Sequence, residues 1–172
     1  MKRFALLLPW LLALAVSAWA GKAHEHGAAR LDIAAAAGTL NLSLDTPLDG
    51  LLDFERAPRN DAEKRAVEKL VATLRAADAL FAVDPAAQCR LVSVELSSAA
   101  LGLGLAAAGP SDGHGDLEAE FAFRCQGAPA FVEVGLFKAF PRLARLDVQT
   151  ATARGQRRQV LKRPASRIDL AR

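Results

Sequence analysis

Three histidines and one aspartate have the spacing of a possible metal site. One residue separates His24 from His26 in sequence, and one residue separates His114 from Asp116 within a glycine-rich segment. Residues two apart in extended backbone point to the same side, so each pair can converge on one ligand. Three imidazoles and one carboxylate suit Zn²⁺ in tetrahedral geometry. The spacing therefore raises the hypothesis of a zinc site formed by these four residues.

The same histidines also have a simpler interpretation. A His-x-His sequence near a chain terminus can be a solvated tail, and a single histidine between glycines is usually exposed. A short His-x-His motif indicates a metal site less strongly than a spaced pair of CxxC sequences does. The residue spacing alone leaves both interpretations open.

The sequence gives no sign of an enzyme. It has no Gly-x-Ser-x-Gly nucleophile elbow and no glycine-rich phosphate loop after a strand. Glu118 and Glu120 lie on the polar side of an alternating segment, which is typical of a solvated strand face. A hydrolase that uses zinc-bound water would need a base such as Glu25 or Glu118, and no substrate pocket is indicated. We therefore expect no catalysis.

The N-terminus has the three parts of a secretory signal peptide. Lys2 and Arg3 are followed by an apolar stretch over residues 4–16 and by Ala18-Trp19-Ala20, a small-x-small cleavage site. We predict a signal peptide over residues 1–20 and a single mature domain over residues 21–172 that works outside the cytoplasm. An uncleaved membrane anchor is the alternative, but the apolar stretch is short for a membrane span.

The mature chain is close to electrically neutral and has two cysteines. It carries 20 basic against 19 acidic residues, because two of the 22 basic residues belong to the signal. This balance does not indicate a nucleic-acid partner. Cys89 and Cys125 form an isolated even pair in an oxidising compartment, which predicts a disulfide.

Hydrophobic periodicity predicts the main elements of the fold. Alternating segments about Gly38 predict a hairpin, and Asn60 with Glu63 predicts the start of an amphipathic helix over residues 61–81. Further strands are predicted at 89–97, 117–125, 131–136, 143–153 and 157–170, with a short helix within 135–142. The pattern predicts a single-domain α+β fold, mostly antiparallel β-sheet with one main helix and a short second helix.

The order of these segments resembles the ZrgA-like periplasmic zinc-uptake proteins of Gram-negative bacteria. The resemblance covers essentially the whole mature chain. The matching pieces are His24-Glu25-His26-Gly27, Leu31-Asp32-Ile33, Phe54-Glu55-Arg56-Ala57-Pro58, Ala79-Leu80-Phe81, Cys89, Asp116-Leu117-Glu118-Ala119-Glu120-Phe121, Cys125, Leu136-Phe137, Phe140-Pro141 and Gly155-Gln156.

The resemblance implies a zinc-binding protein without catalytic activity, which passes metal to a zinc ABC importer. It implies zinc ligation by His24 and His26, and its histidine before an Asp-Leu strand resembles the neighbourhood of His114 and Asp116. The sequence departs from the family at Arg56, because the family connector commonly has histidine there and arginine cannot bind zinc. The long His-rich loop of the family is also reduced here to His114.

A second class of function remains open at this stage. An extracytoplasmic adaptor could dock another envelope protein through an exposed edge strand or through the apolar loop at residues 101–105. Metal would have no role in such a protein. Removal of the histidines would then leave partner binding intact, whereas a charge at Leu103 or Leu105 would abolish it.

Overall fold

We describe the protein from a computed structural model, which covers residues 26–104 and 115–171. The predicted signal peptide, His24 and residues 105–114, which include His114, lie outside the described residues. Within the described part of the chain, no helix combines the length and the apolar character needed to cross a membrane.

Two β-sheets form the framework of the fold. The larger sheet has six strands in the order β4-β5-β2-β1-β7-β8, and the smaller has three in the order β3-β6-β9. The strands of the larger sheet are β1 (Ala28–Ala36), β2 (Thr39–Pro47), β4 (Arg90–Ser97), β5 (Asp116–Arg124), β7 (Arg145–Thr152) and β8 (Gly155–Lys162). Those of the smaller sheet are β3 (Phe81–Val83), β6 (Phe131–Val134) and β9 (Arg167–Asp169). The helices are α1 (Asp61–Arg75), α2 (Ala77–Leu80) and α3 (Leu136–Ala139).

The predicted hairpin is confirmed, and its alternation explains the core. β1 and β2 pair antiparallel, with Leu31 opposite Leu44 and Ile33 opposite Leu42, and these side chains are almost completely buried. Each such side chain stabilises the fold by about 1.5–3 kcal/mol relative to an exposed position. The polar residues between them face outward. One buried face therefore fixes the register of the two strands.

The centre of the larger sheet contains one pairing that the mostly antiparallel pattern does not reveal. β1 and β7 run parallel, and Leu31 lies opposite Val148. All other strand pairs in the two sheets are antiparallel. The predicted α+β class with mostly antiparallel sheet is confirmed.

The main helix begins where the sequence predicts but ends earlier. The Asn60 side chain accepts a hydrogen bond from the Glu63 N–H at 2.9 Å and caps α1. The helix breaks at Ala76, after which the short helix α2 leads directly into β3. The prediction that the helix continues to Phe81 is wrong. Phe81 pairs with Val134 and packs edge-on against Phe121, so tertiary contacts override the helical periodicity.

The predicted last strand is also divided in the structure. β8 ends at Lys162, and β9 belongs to the smaller sheet, so a single strand over residues 157–170 is wrong. Pro164 has no N–H and cannot continue the hydrogen-bond ladder. The Arg163 guanidinium group donates to the carbonyl oxygens of Pro141 and Leu143 at 2.6 and 2.8 Å, which anchors the connection.

The predicted disulfide joins the ends of two neighbouring strands. Cys89 immediately precedes β4, Cys125 immediately follows β5, and these strands pair antiparallel as predicted. The disulfide therefore fixes one end of the pair. No free cysteine is present.

We expect loss of this disulfide to destabilise the protein substantially. It closes a loop between residues 36 positions apart, which corresponds to about 4 kcal/mol of unfolded-state entropy. The Cys89→Ala/Cys125→Ala variant should lose about this amount of unfolding free energy in urea titrations. Reduced wild-type protein is the matched control and should show a similar loss. Equal stability of oxidised wild type and variant would contradict the prediction.

Candidate metal site

Three potential metal ligands converge at one end of the larger sheet. One ligand atom from each of His26, Asp49 and Glu55 lies within 4.8 Å of the other two. The His26 Nδ1 and Asp49 Oδ2 atoms are 2.6 Å apart. Among residues 26–104 and 115–171, this is the one such convergence of three histidine, cysteine or acidic side chains.

A tight turn after β2 positions Asp49. The residues Leu48–Gly50 form a single 3-10 turn, and the Leu48 side chain is completely buried. The Leu48 N–H donates to the Gly115 carbonyl at 2.8 Å, and the Leu48 carbonyl accepts from the Leu52 N–H at 2.7 Å. These bonds fix the turn from both sides, so Asp49 is carried on an ordered backbone.

Gly27 positions His26 next to this turn. Its φ angle is +71°, which strongly favours glycine, and a Cβ atom here would lie 2.9 Å from the Arg142 carbonyl oxygen. The Gly27 carbonyl accepts from the Ala144 N–H at 2.7 Å and from the Arg145 N–H at 3.1 Å. The chain is therefore anchored one residue after His26.

Gly115 allows the connector that carries Glu55 to come close to the start of β5. A Cβ atom at residue 115 would overlap the Glu55 carbonyl oxygen and would lie 2.8 Å from the Leu48 Cδ1 atom. The absence of a side chain thus allows the connector, the turn and β5 to meet. Asp116, the next residue, lies opposite Pro47 at the same end of the sheet.

The candidate ligands line a small open cleft. Its volume is about 420 Å³, and its walls are His26, Asp49, Leu52, Asp53, Phe54, Glu55, Arg56 and Arg142. The His26 side chain is 75% exposed, whereas that of Asp49 is 21% exposed. The Asp49 Oδ1 atom is buried and has no hydrogen-bond partner among the described residues. A buried carboxylate oxygen without a partner is energetically costly, and a bound cation would satisfy it.

Arg56, a cation in the cleft wall, is held by an acidic residue of α1. Its guanidinium group donates to both carboxylate oxygens of Glu63, at 2.8 and 3.1 Å, and lies 5.3 Å from the Phe54 ring centre. This pairing offsets the arginine charge next to the candidate ligands. The bond from Arg56, together with the Arg59 backbone N–H, lowers the pKa of Glu63 from its ordinary value of 4.5 to about 2.

The arrangement is chemically suited to a divalent cation with mixed nitrogen and oxygen ligands. Zinc bound tetrahedrally at its usual ligand distances would hold its ligand atoms about 3.3 Å from one another. The three groups can reach such spacing through side-chain rotations, provided that the His26–Asp49 hydrogen bond opens. Asp49 could alternatively keep this bond and orient the imidazole while the other ring nitrogen binds the metal.

The four residues predicted from spacing have different positions relative to this cleft. His26 is in it, and Asp116 lies at the start of β5 but is not one of the three converging groups. His24 and His114 lie outside the described residues, although each is close in sequence to a residue at the cleft. Sequence reasoning did not select Asp49 or Glu55. Glu55 belongs to the connector that carried the family resemblance, whereas Asp49 has no distinguishing sequence signal.

The comparison with known protein families decides the classification. The model of a family described as "ZrgA family zinc uptake protein" matches residues 23–170. The chain belongs to the ZrgA family. No curated protein matches the chain.

Membership of the ZrgA family confirms the resemblance noted from the sequence and indicates a role in zinc uptake. The match spans both sheets, the disulfide and the three converging groups. Arg56 is the connector residue at which a departure from the family is expected from the sequence. The structure shows what this arginine does instead, since it ties the connector to α1 through Glu63.

The Glu63 contact makes a pH-dependent contribution to stability. Because the folded-state pKa is lowered, the contribution is present above pH 4.5 and is lost as the pH falls from 4.5 towards 2. In urea unfolding, the stability difference between wild type and Glu63→Gln should shrink across this range. Glutamine keeps an oxygen for the Arg59 N–H but loses the charge.

Glu68→Gln is the matched control for this measurement. Glu68 is exposed on the same helix and makes no ion pair within the described part of the chain. Its stability difference from wild type should stay nearly constant with pH. A Glu63→Gln difference that is equally constant would contradict the assigned role of the Arg56–Glu63 pair.

Proposed function

We propose that this ZrgA-family protein is a periplasmic zinc-binding protein that buffers zinc or delivers it to a zinc ABC importer. His26, Asp49 and Glu55 are its central zinc ligands. Zinc is the cargo of this protein and takes part in no catalytic step. In this proposal the mature protein is one domain that begins at Gly21.

The observation that carries the proposal is the convergence of the three groups, one of which, Asp49, also has a carboxylate oxygen without a hydrogen bond among the described residues. Acidic clusters on protein surfaces are common, but here a histidine is included and Asp49 Oδ1 is buried without a hydrogen bond among the described residues. Zinc accepts both imidazole nitrogen and carboxylate oxygen. A zinc ion would therefore satisfy Asp49 Oδ1, the buried oxygen that has no hydrogen bond among the described residues of this cleft.

Further ligands are expected from the two histidines outside the described residues. His24 is two residues before His26, and His114 directly precedes Gly115, which contacts the Leu48 turn and the Glu55 backbone. His24, His114 and Asp116, which follows His114 by two residues, remain predicted donors.

An exposed site is consistent with a delivery role. The His26 ring lies at the surface of an open cleft, so an acceptor could approach zinc held by His26, Asp49 and Glu55 and displace a more weakly held donor. An acceptor can then bind zinc before the donor has released it. Closed structural zinc sites, with four protein ligands, exchange metal less readily.

The adaptor alternative receives no support from its apolar loop. Leu101 and Leu103 are partly buried and pack against the core, and Leu103 forms backbone hydrogen bonds with Ser98. These side chains therefore do not form an open docking surface. Leu105 lies outside the described residues.

Calorimetric titration of Zn²⁺ into metal-free protein tests the site. We expect His26→Ala, Asp49→Asn and Glu55→Gln each to weaken zinc binding by about tenfold or more, because each removes a ligand or its orienting partner. His24→Ala and His114→Ala report on the two further donors. Asp78→Asn, at an exposed position in α2, is the matched control and should bind like wild type.

The three central substitutions decide between sites. Unchanged zinc affinity in all three variants would contradict the assignment of this cleft as the zinc site, even if the protein still bound zinc elsewhere. If only His24→Ala and His114→Ala weakened binding, the ligands would belong to the segments outside the described residues. Circular dichroism of each variant would separate ligand loss from unfolding.

Exchange kinetics test delivery separately from binding. Zinc-loaded protein is mixed with increasing concentrations of a chromogenic chelator, and the rate of zinc loss is followed. An open site predicts a rate that rises with chelator concentration, because the acceptor attacks the bound metal. A rate independent of chelator concentration would show that zinc must dissociate first, and would favour buffering over delivery.

A further inference from the structure

β8 is an edge strand of the larger sheet. Within the part of the chain that the structure describes, it pairs only with β7, over an eight-residue ladder without a register shift. The opposite edge strand, β4, has a register shift between Leu91 and Ser93, which blunts it. The outer side of β8 therefore presents a regular row of backbone N–H and C=O groups to which another strand could pair.

The same edge carries a concentrated positive charge. Between residues 154 and 163 there are five basic residues and no acidic residue. Arg163 is engaged with carbonyl oxygens of the Phe140–Leu143 segment. The other four are exposed and make no ion pair with any described residue; they are Arg154, Arg157, Arg158 and Lys162.

Three other strands balance their arginines in a way that β8 does not. Each contains an arginine, a buried aliphatic residue and an aspartate in succession, so that arginine and aspartate share one face. The resulting ion pairs are Arg30–Asp32 at 2.7 Å, Arg145–Asp147 at 2.8 Å and Arg167–Asp169 at 3.4 Å. β8 has no aspartate or glutamate, so its charge is not balanced within the strand.

The neighbouring strand compensates little of this charge, because its one acidic residue, Asp147, lies opposite Val160 and is paired with Arg145. Arg158 lies opposite Gln149, Arg157 lies opposite Thr150, and Lys162 lies opposite Arg145. Like charges directly across a strand pair are unfavourable. An acidic partner outside β8 would relieve this repulsion.

We propose that the β8 edge binds an extended acidic segment of a partner protein, which adds to the sheet as a further strand. Backbone hydrogen bonds would supply affinity, and carboxylates beside Arg157, Arg158 and Lys162 would supply selectivity. Val160, which is 50% exposed between the charged positions, offers an apolar contact to the added strand.

The distribution of charge favours a strand over the other anionic partners. Neighbouring residues in a strand point to opposite faces, so Arg157 is on one face of the sheet and Arg158 with Lys162 on the other. An added acidic strand has the same alternation, whereas a membrane surface contacts only one face. A second copy of β8 would bring arginine against arginine, which disfavours self-association.

The test uses a fluorescent eight-residue peptide that carries glutamates on both faces of an extended strand with valines between them, matched to the length of β8. Anisotropy titration of the mature protein should show binding that weakens at higher salt, with no binding of the corresponding lysine–valine peptide. Arg157→Glu/Arg158→Glu should weaken binding by about tenfold. Arg65→Glu/Lys69→Glu, the same charge change at exposed positions on α1, should leave binding unchanged.

Hydrogen exchange and vesicle binding complete the test. Peptide binding should slow amide exchange in β8 and not in β4. The proposal is overturned if both charge variants bind equally, if β8 amides gain no protection, or if the protein binds anionic phosphatidylglycerol vesicles but not the peptide. Zinc affinity of the β8 variant should equal that of wild type, so this result is independent of the metal site.

Discussion

The backbone contact between Gly115 and the Leu48 turn is the constraint on which the candidate metal site depends. The Leu48 N–H to Gly115 carbonyl bond joins the end of β2 to the start of β5, and Gly115 also lies against the Glu55 backbone. Only a residue without a side chain permits both approaches. Asp49 and Glu55, which are separated in sequence and carried on irregular backbone, can therefore occupy one cleft.

Electrostatics in this cleft are arranged so that a cation can still enter it. Arg56 and Arg142 line the walls, but each is paired with a carboxylate, Glu63 and Asp53 respectively. Paired arginines repel an incoming metal ion less than free ones would. The Asp49 carboxylate, in contrast, keeps one oxygen unsatisfied within the described structure. The cleft thus combines the candidate metal ligands with walls whose positive charge is neutralised locally.

Most of the fold could be predicted because it follows from local patterns. Strict alternation of apolar and polar residues predicted β1, β2 and β5, and the Asn60 cap predicted the start of α1. The errors occurred where a local pattern competes with distant contacts. Residues up to Phe81 continue the helical period, yet Phe81 is better buried as a strand against Phe121. The parallel β1–β7 pairing likewise depends on how the chain returns, which periodicity does not encode.

For the candidate metal site, the sequence by itself determined which chemistry to expect, and the tertiary structure decided which residues meet. The residue types and the ordered family pieces were enough to predict zinc, and the cysteine pair was enough to predict the disulfide. The grouping of His26 with Asp49 and Glu55 could not be predicted, because no fixed spacing relates them. They meet only after two glycines bring three chain segments together, and such close approaches are set by the complete fold.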